Sequence, residues 1–458
     1  MSDTIAAIAT PVGAGGIGVV RISGPDSLAI ASALFHSSGQ GSATGFSPWR
    51  VYFGEIIEPG PGICVDQVLL TYFKSPKSYT AEDTVEISAH GGVYVVSKIL
   101  DLVLEQGARL AEPGEFTRRA FLNGRVDLSQ AEAVQDLIAA VSEQALRASV
   151  AQLQGQLSTR LNEMVEALLG VLAELEAAID FPEEGLPLQK SQVLKERVQN
   201  VLEKVEELIG SYRRGKIFRE GACITLVGKP NVGKSSLLNA LLKEDRAIVT
   251  ALPGTTRDTL EERVRIKDIH INIIDSAGLR EHPEIIEKEG IQRTREALDR
   301  ADLALVIFDR SQPLDKNDEL LLREVGDKAK LVVFNKCDLQ PRLSETDLEG
   351  SESDVHPILI SATRQTGLDL LTEAIYDHVV GGSFIQESVI ITRARHLEHL
   401  VSAREALKKA RDSLEQELSE EFVAVDMNMA LESIGAILGK TFSEDLLDQI
   451  FNEFCIGK

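Results

Sequence analysis

The stretch Gly228-Lys229-Pro230-Asn231-Val232-Gly233-Lys234-Ser235 carries the residue types and spacing of a phosphate cradle, G-x-x-x-x-G-K-[ST]. Its glycines let consecutive backbone N–H groups point inward, and a helix start behind them adds partial positive charge. Lys234 reaches the β- and γ-phosphates of a nucleoside triphosphate, and the Ser235 hydroxyl is a ligand for Mg²⁺. Four shorter elements follow in order. Gly254-Thr255-Thr256-Arg257-Asp258 offers a switch threonine, Thr256, to Mg²⁺. Asp275-Ser276-Ala277-Gly278 is a D-x-x-G, whose Asp holds Mg²⁺ through water while the Gly278 N–H meets the γ-phosphate. Asn335-Lys336-Cys337-Asp338 is an N-K-x-D, whose carboxylate accepts from N1–H and the 2-amino group of guanine. Adenine lacks that pair of donors, so the expected nucleotide is GTP. Ser361-Ala362-Thr363 closes the base pocket. The expected GTP contacts are Asn231, Val232, Gly233, Lys234, Ser235 and Ser236 in the first loop, then Thr250, Thr255, Thr256, Asp275, Gly278, Asn335, Lys336, Asp338, Ser361, Ala362 and Thr363.

Each of these groups needs an element to hold it. The apolar run Cys223-Ile224-Thr225-Leu226-Val227 reads as a strand feeding the cradle, and Ser236-Leu237-Leu238-Asn239-Ala240-Leu241-Leu242 as the helix that leaves it. A strand over residues 269–274 ends at the D-x-x-G, and another over 331–334 ends at the N-K-x-D. Motifs in this order at strand ends predict an α/β domain over residues 218–382.

Residues 1–118 mix short alternating segments with two helical ones, which predicts an α+β domain. Residues 51–57 and 65–73 read as strands joined through the Pro/Gly cluster at 59–62. From 119 the pattern turns helical. Apolar residues from Val134 to Leu175 recur mostly at intervals of three and four, as one long helix or a helical pair, up to a break at Asp180-Phe181-Pro182-Glu183-Glu184-Gly185. A second helix follows from Leu194 to Leu208, and helical periodicity returns from Leu397 to Leu438. Two arrangements fit. Either a helical domain in two pieces, 119–217 and 383–458, receives the nucleotide-binding domain as an insertion, or three domains follow one another. The insertion is simpler, because domain termini often lie close together and flanking helices need each other's apolar faces.

Length and composition agree. With 458 residues, 43% hydrophobic and 26% charged, the chain suffices for two or three domains with cores of their own. No apolar run reaches membrane-spanning length, and Met1-Ser2-Asp3-Thr4 lacks a basic leader region, so a soluble, cytoplasmic protein is expected. Cys64, Cys223, Cys337 and Cys455 are scattered, which argues against a disulfide framework and gives no zinc spacing. A net charge of −23 argues against tight binding of bare nucleic acid by the whole surface. An RNA substrate would need a local basic patch or a basic partner.

The catalytic pattern departs from that of Ras-like G domains, where a Gln after D-x-x-G orients the attacking water. Here that place holds Leu279, which cannot do so. No arginine finger is evident in cis, and nothing singles out Arg257 or Arg280. Asn231 offers a side-chain carbonyl toward the phosphates. With backbone oxygens of residues 250–255 it is either a ligand for a monovalent cation, where an arginine finger would place its charge, or an ordinary turn residue after Pro230.

These residues resemble the MnmE (TrmE) family of tRNA modification GTPases. The resemblance rests on the phosphate loop with Asn231, the Gly254–Asp258 switch, Leu279 after D-x-x-G, and the final Cys455-Ile456-Gly457-Lys458. The N-terminal half agrees through Arg21-Ile22-Ser23-Gly24, Ser78-Tyr79-Thr80-Ala81-Glu82-Asp83, His90-Gly91-Gly92 and Pro113-Gly114-Glu115-Phe116-Thr117-Arg118-Arg119. The fold it implies is multidomain α+β and α/β: an N-terminal α+β folate-binding-like domain, a discontinuous α-helical domain and an inserted Ras-like P-loop G domain.

The resemblance also implies partners, cofactors and residue roles. Family members are homodimers through the N-terminal domain, and their G domains pair when GTP is turned over. Potassium would be held by Asn231 and by oxygens of Thr250, Leu252 and Thr255, and Mg²⁺ by Ser235 and Thr256. Glu287 matches the family's water-orienting Glu; taken alone, it would read as one carboxylate on a solvated helix face. A tetrahydrofolate derivative would be bound by Arg21, Glu86, Arg125 and Lys458. Cys455 reads either as a nucleophile, if its thiol pKa is lowered, or as a tail residue docked for shape. The implied catalytic groups are therefore Glu287, Lys234, Asn231 and Cys455.

The implied function is a potassium-activated GTPase acting with the flavin-dependent MnmG (GidA) in a heterotetramer. Together they would install a C5 substituent on the wobble uridine of certain tRNAs, using a folate one-carbon unit. A regulatory GTPase of ribosome assembly fits the G domain alone equally well. Against it stand the folate-like motifs, the C-terminal tail and the lack of a basic KH-like RNA module.

Overall fold

Along Gly18–Ser23, Val20 and Ile22 are buried while Arg21 between them lies on the other face, as the period of a strand demands. The computed structural model, which describes residues 3–11, 13–37, 45–180, 188–244, 262–274, 295–348, 356–381 and 389–458, sets this strand in a seven-stranded sheet. Its strands are β1 (Ile5–Ile8), β2 (Gly18–Ser23), β3 (Phe35–Ser37), β4 (Val51–Ile57), β5 (Cys64–Phe73), β6 (Thr84–Ala89) and β7 (Arg109–Leu110). They lie in the order β3-β4-β5-β6-β2-β1-β7, antiparallel except for β1 with β7. Helices α1 (Ser27–Leu34) and α2 (Val93–Glu105) cover one face. Their Ile30, Leu34, Ile99 and Leu102 share a core with Val20, Ile22, Leu70 and Ile87. A third helix, α3 (Glu115–Leu122), follows.

The described chain divides into two compact units, residues 1–138, 152–201 and 405–458 in one, and residues 139–151 and 202–404 in the other. The helical stretch from Val134 to Leu175 is three helices, not one or a pair: α4 (Leu128–Ala139), α5 (Glu143–Leu153) and α6 (Gln156–Asp180). Both interruptions have local causes. Ser142 Oγ accepts from the Ala145 N–H at 3.0 Å and caps α5. The Gly155 N–H closes a turn onto the Gln152 carbonyl at 2.9 Å. Apolar spacing continues across both breaks, so periodicity alone does not reveal them. Residues 181–185, where the sequence predicts the next break, lie outside the described residues. Beyond them runs α7 (Leu188–Glu220).

The second unit is built on six strands: β8 (Ala222–Val227), β9 (Glu262–Ile266), β10 (Ile269–Ile274), β11 (Leu303–Asp309), β12 (Lys330–Asn335) and β13 (Ile358–Leu359). Their order is β13-β12-β11-β8-β10-β9, parallel except for β9 at the edge. β11 is buried from Leu303 through Phe308, as a central strand covered on both faces must be. Helices flank it, among them α8 (Lys234–Glu244), α9 (Lys316–Val325) and α10 (Leu368–Val380). Leu237 and Leu241 of α8 and Leu371 and Ile375 of α10 pack in one core with Ile224, Ile273, Leu305 and Ile307. On the opposite face, Leu322 and Val325 of α9 join Val306, Phe308, Val332 and Phe334.

The chain closes with α11 (Ala394–Glu415), α12 (Glu420–Leu438) and α13 (Glu444–Phe451). α12 packs on α6. α13 is too short for periodicity to announce. Ser443 caps it, and Leu447, Ile450 and Phe451 pack with Phe121, Leu128 and Ala131. Among the described residues no helix is long and apolar enough to cross a membrane.

Candidate functional site

β8 ends at Val227, and residues 228–233 carry the chain to the N-terminus of α8 at Lys234. Gly233 holds φ +103°, and a Cβ there would stand 2.1 Å from Asn335 Nδ2. A side chain is excluded by both conformation and space. Asn231 holds φ +65°, a left-handed conformation that asparagine tolerates better than most residues. The Lys234 ammonium folds back onto its own loop, donating to the carbonyl of Gly228 and, at 2.8 Å, to that of Lys229.

Asn335, buried at the end of β12, ties the loops together. Its Nδ2 donates to the Val232 carbonyl at 2.8 Å, and its Oδ1 accepts from the Ala362 N–H at 3.1 Å. One amide thus joins the phosphate loop to the loop of Ser361–Thr363. Asp338 Oδ1 accepts from Ser361 Oγ at 2.6 Å, and that bond holds its carboxyl below the usual carboxylate range. The group is therefore ionised at neutral pH, a form whose oxygens only accept. Cys337 is a half-buried spacer whose N–H donates to the Ile360 carbonyl.

Both loops lean on aspartates that the sequence reading missed. Lys336 Nζ lies 2.7 Å from Asp309 Oδ2 at the end of β11. Burial pushes the Asp309 carboxyl up, but Lys336 and Ser311 outweigh it and the net shift is downward. Lys229 Nζ lies 2.6 Å from Asp318 Oδ2 and 2.9 Å from Asp315 Oδ2. Burial works against that ammonium, yet the two carboxylates prevail and raise its pKa. A cavity of about 360 Å³ borders these groups, with Asn231, Phe308, Leu314 and Leu343 also in its wall. The signal for Asp315 and Asp318 was in the sequence: their spacing and setting are those of a capping box at a helix start.

Of the residues expected to contact nucleotide, those described, Asn231 to Ser236, Asn335, Lys336, Asp338 and Ser361 to Thr363, come together at neighbouring strand ends bonded to one another. Thr250, Leu252, Thr255, Thr256, Asp275, Gly278, Leu279 and Glu287 lie outside the described residues. The donors expected for metals are hydroxyl, amide and carbonyl oxygens, which suit Mg²⁺ and K⁺ rather than softer ions. Among the described residues no cluster of His, Cys, Asp or Glu is arranged to hold a metal.

A second constellation forms in the first unit. Arg21 on β2 and Glu86 on β6 are register partners, and their side chains pair at 2.9 Å. The guanidinium lies over the rings of Tyr79 (5.0 Å) and Phe116 (5.6 Å). Its Nη1 donates to the Gly457 carbonyl at 3.3 Å. That bond belongs to a docked C-terminal tail, in which Ile456 bridges to Pro113 and Gly457, at φ +97°, leaves no room for a Cβ beside the Ile8 carbonyl. Burial, then the neighbouring Arg21, pushes the Lys458 ammonium pKa down. Arg125 lies over the Tyr79 ring at 5.3 Å and donates to the Tyr79 carbonyl. Arg21, Glu86 and Lys458 are thus brought together, with Arg125 joined to them through Tyr79. Cys455 is exposed in the same tail.

A doubly covered sheet, a glycine loop after its first strand and an N-K-x-D after β12 define a P-loop G-domain protein, here joined to α+β and helical parts. Comparison with known proteins narrows the class. The profile of the MnmE helical domain matches residues 128–455, and that of the GTP-binding protein TrmE N-terminus matches residues 4–125. The tRNA modification GTPase MnmE of Natranaerobius thermophilus is 46% identical over 100% of this chain and 99% of its own. Those of Syntrophus aciditrophicus (45%, covering 100% of each chain) and Thermoanaerobacter pseudethanolicus (44%, 100% and 99%) are similar. The chain belongs to the MnmE (TrmE) family of tRNA modification GTPases.

Proposed function

We propose that this chain hydrolyses GTP within a machinery that installs a substituent on carbon 5 of the wobble uridine of certain tRNAs. It would work with a flavin-dependent partner of the MnmG (GidA) kind and draw the one-carbon unit from a tetrahydrofolate derivative. The observation that carries the GTP reading is Asn335, whose amide holds the phosphate loop and the base loop in one frame. Within that frame Lys234 exchanges its loop carbonyls for the β- and γ-phosphates. Asp338, ionised beside Ser361, accepts from the guanine edge.

Ser235 and Thr256 would hold Mg²⁺, and Asn231 with the oxygens of Thr250, Leu252 and Thr255 would hold K⁺; bound there, the cations supply positive charge against the phosphates. Glu287 orients the attacking water in place of the Gln that Leu279 replaces. In the first unit, Glu86 binds the amidine-like edge of a pterin while Arg21, Arg125 and Lys458 supply cations for the folate glutamate. Cys455, exposed in that tail, is the candidate nucleophile.

We assign residues 1–118 to the N-terminal domain, 218–382 to the G domain, and 119–217 with 383–458 to a helical domain interrupted by it. The Ile391 N–H donates to Ser211 Oγ at 3.2 Å, so the chain leaving the α/β segment returns beside the helix that led into it. A homodimer through the N-terminal domain is supported by Val51, Phe53 and Leu69, which are exposed on the β4–β5 ribbon. Phe53 and Leu69 are register partners and share a face, an apolar patch suited to a second copy. The charge of −23 supports a partner that carries much of the grip on tRNA in the heterotetramer. With tRNA as the substrate, the work lies in the cytoplasm.

The test is GTP turnover in potassium and in sodium, for this protein and for Asn231→Ala. Potassium should stimulate the wild type, and the stimulation should vanish in the variant. Equal rates in both salts would remove the potassium element.

A further inference from the structure

Two lysine–aspartate pairs, one for each nucleotide loop, start from a single short segment. Asp309 at the end of β11 holds Lys336 of the base loop at 2.7 Å. Asp318 in the first turn of α9 holds Lys229 of the phosphate loop at 2.6 Å, with Asp315 adding a contact at 2.9 Å. The segment is itself fixed at both ends. Asp309 Oδ1 accepts from the Ser311 N–H at 2.9 Å and from Ser311 Oγ at 2.6 Å, and Asp315 and Asp318 form a reciprocal capping box. The Asp318 side chain is only 5% exposed, so solvent screens its charge little.

The cavity of about 360 Å³ is lined by Lys229 and Asp318, by Lys336 and Asp309, and by Phe308 and Leu314. Empty space on this side means that packing does not wedge the loops in place there. On this side the ion pairs hold the loops, in addition to the Asn335 amide that joins them.

We propose that residues 309–318 form a strap that positions both nucleotide loops, with Asp309 and Asp318 as positioning residues for guanine-nucleotide binding. This rests on reading the second unit as a G domain. Asp309 sets the base end through Lys336, and Asp318 sets the phosphate end through Lys229. Because one strap serves both ends, loosening either one speeds release of the whole nucleotide.

The experiment measures release of N-methylanthraniloyl-GDP from the full-length protein by stopped flow. It compares wild type, Asp309→Asn, Asp318→Asn, Lys229→Met and the double variant Lys229→Met/Asp318→Asn. Asparagine at 318 keeps an oxygen to accept the Asp315 N–H, so the cap survives while the charge is lost. Each single variant should release the nucleotide about tenfold faster, the size expected for losing one charge-assisted hydrogen bond. The double variant should be no faster than the quicker of its two singles, with melting temperatures of the Asn variants unchanged. Wild-type release rates in both Asn variants would overturn the proposal. So would additive acceleration in the double variant together with a lowered melting temperature, which would make Asp318 a helix cap and nothing more. If the wild type binds no guanine nucleotide, the G-domain reading falls first and the strap with it.

Discussion

Gly233 and Gly457 sit at positive φ in different units, and a Cβ at either would run into a neighbour, Asn335 Nδ2 in the first case and the Ile8 carbonyl oxygen in the second. What surrounds them differs. Around Gly233 the bracing is neutral: Asn335 bonds to the Val232 carbonyl and the Ala362 N–H. Around Gly457 the neighbours are charged, with Arg21 paired to Glu86 and donating to the tail, and with Lys458 half-buried beside them. At Gly233 the fit is therefore set by backbone geometry and amide bonds, which pH and salt disturb little, while the ion pairs of Lys229 and Lys336 act elsewhere on the same loops. The tail site is shaped by ion pairs, which both can loosen.

The sharpest way to break this contrast is Gly233→Ala. The added Cβ meets a side-chain nitrogen that is fixed on both sides, and the residue must hold φ +103°. GTP affinity should fall by about a hundredfold or more, as expected when a strained position costs several kcal/mol. Calorimetric titration with GTP would register it; near-normal affinity would mean that the loop is not preshaped.

Arg21→Gln addresses the tail site. It keeps a donor for the Gly457 carbonyl but removes the charge beside Glu86. Affinity for 5-formyltetrahydrofolate should fall by about tenfold, the scale of one charge-assisted hydrogen bond. The deficit should narrow in high salt, where the wild type loses the same screened attraction. An undiminished affinity would detach this cluster from folate.

The smallest expected effect concerns pH. Asp3 lies 2.7 Å from Arg109 and 2.6 Å from Arg119, and their guanidiniums, Arg109 first, lower its pKa from 3.8 to about 2. A carboxyl depressed in the folded state contributes stability above pH 3.8 that is lost as pH falls toward 2. Asp3 is half-exposed, so the contribution is discounted to under about 1 kcal/mol. Acid titration of the melting temperature should show Asp3→Asn converging on wild type as pH drops through that window. A constant gap would place the effect in packing rather than charge.

The contrast also explains what the sequence made legible. The phosphate loop and the N-K-x-D announce themselves because their chemistry lies in contiguous residues at strand ends. The bond from Asn335 to Val232 joins residues 103 apart, so it exists only once β8 and β12 are placed on either side of β11. Arg21 and Glu86 come from strands 65 residues apart, and only the β2–β6 register makes them opposite. Taken alone, Arg21 is an ordinary strand arginine, and family resemblance rather than pattern singled it out. The breaks at Ser142 and Gly155 escaped because apolar spacing runs through them. Asp309 and Asp318 escaped because a helix start and a strand end carry no mark of which lysine they will meet.

The most direct test of the account is mass spectrometry of the wobble uridine in tRNA from cells with and without this gene. The C5-substituted nucleoside should disappear from a subset of tRNAs when the gene is deleted and return when it is restored. An identical modified-nucleoside profile in both strains would contradict it.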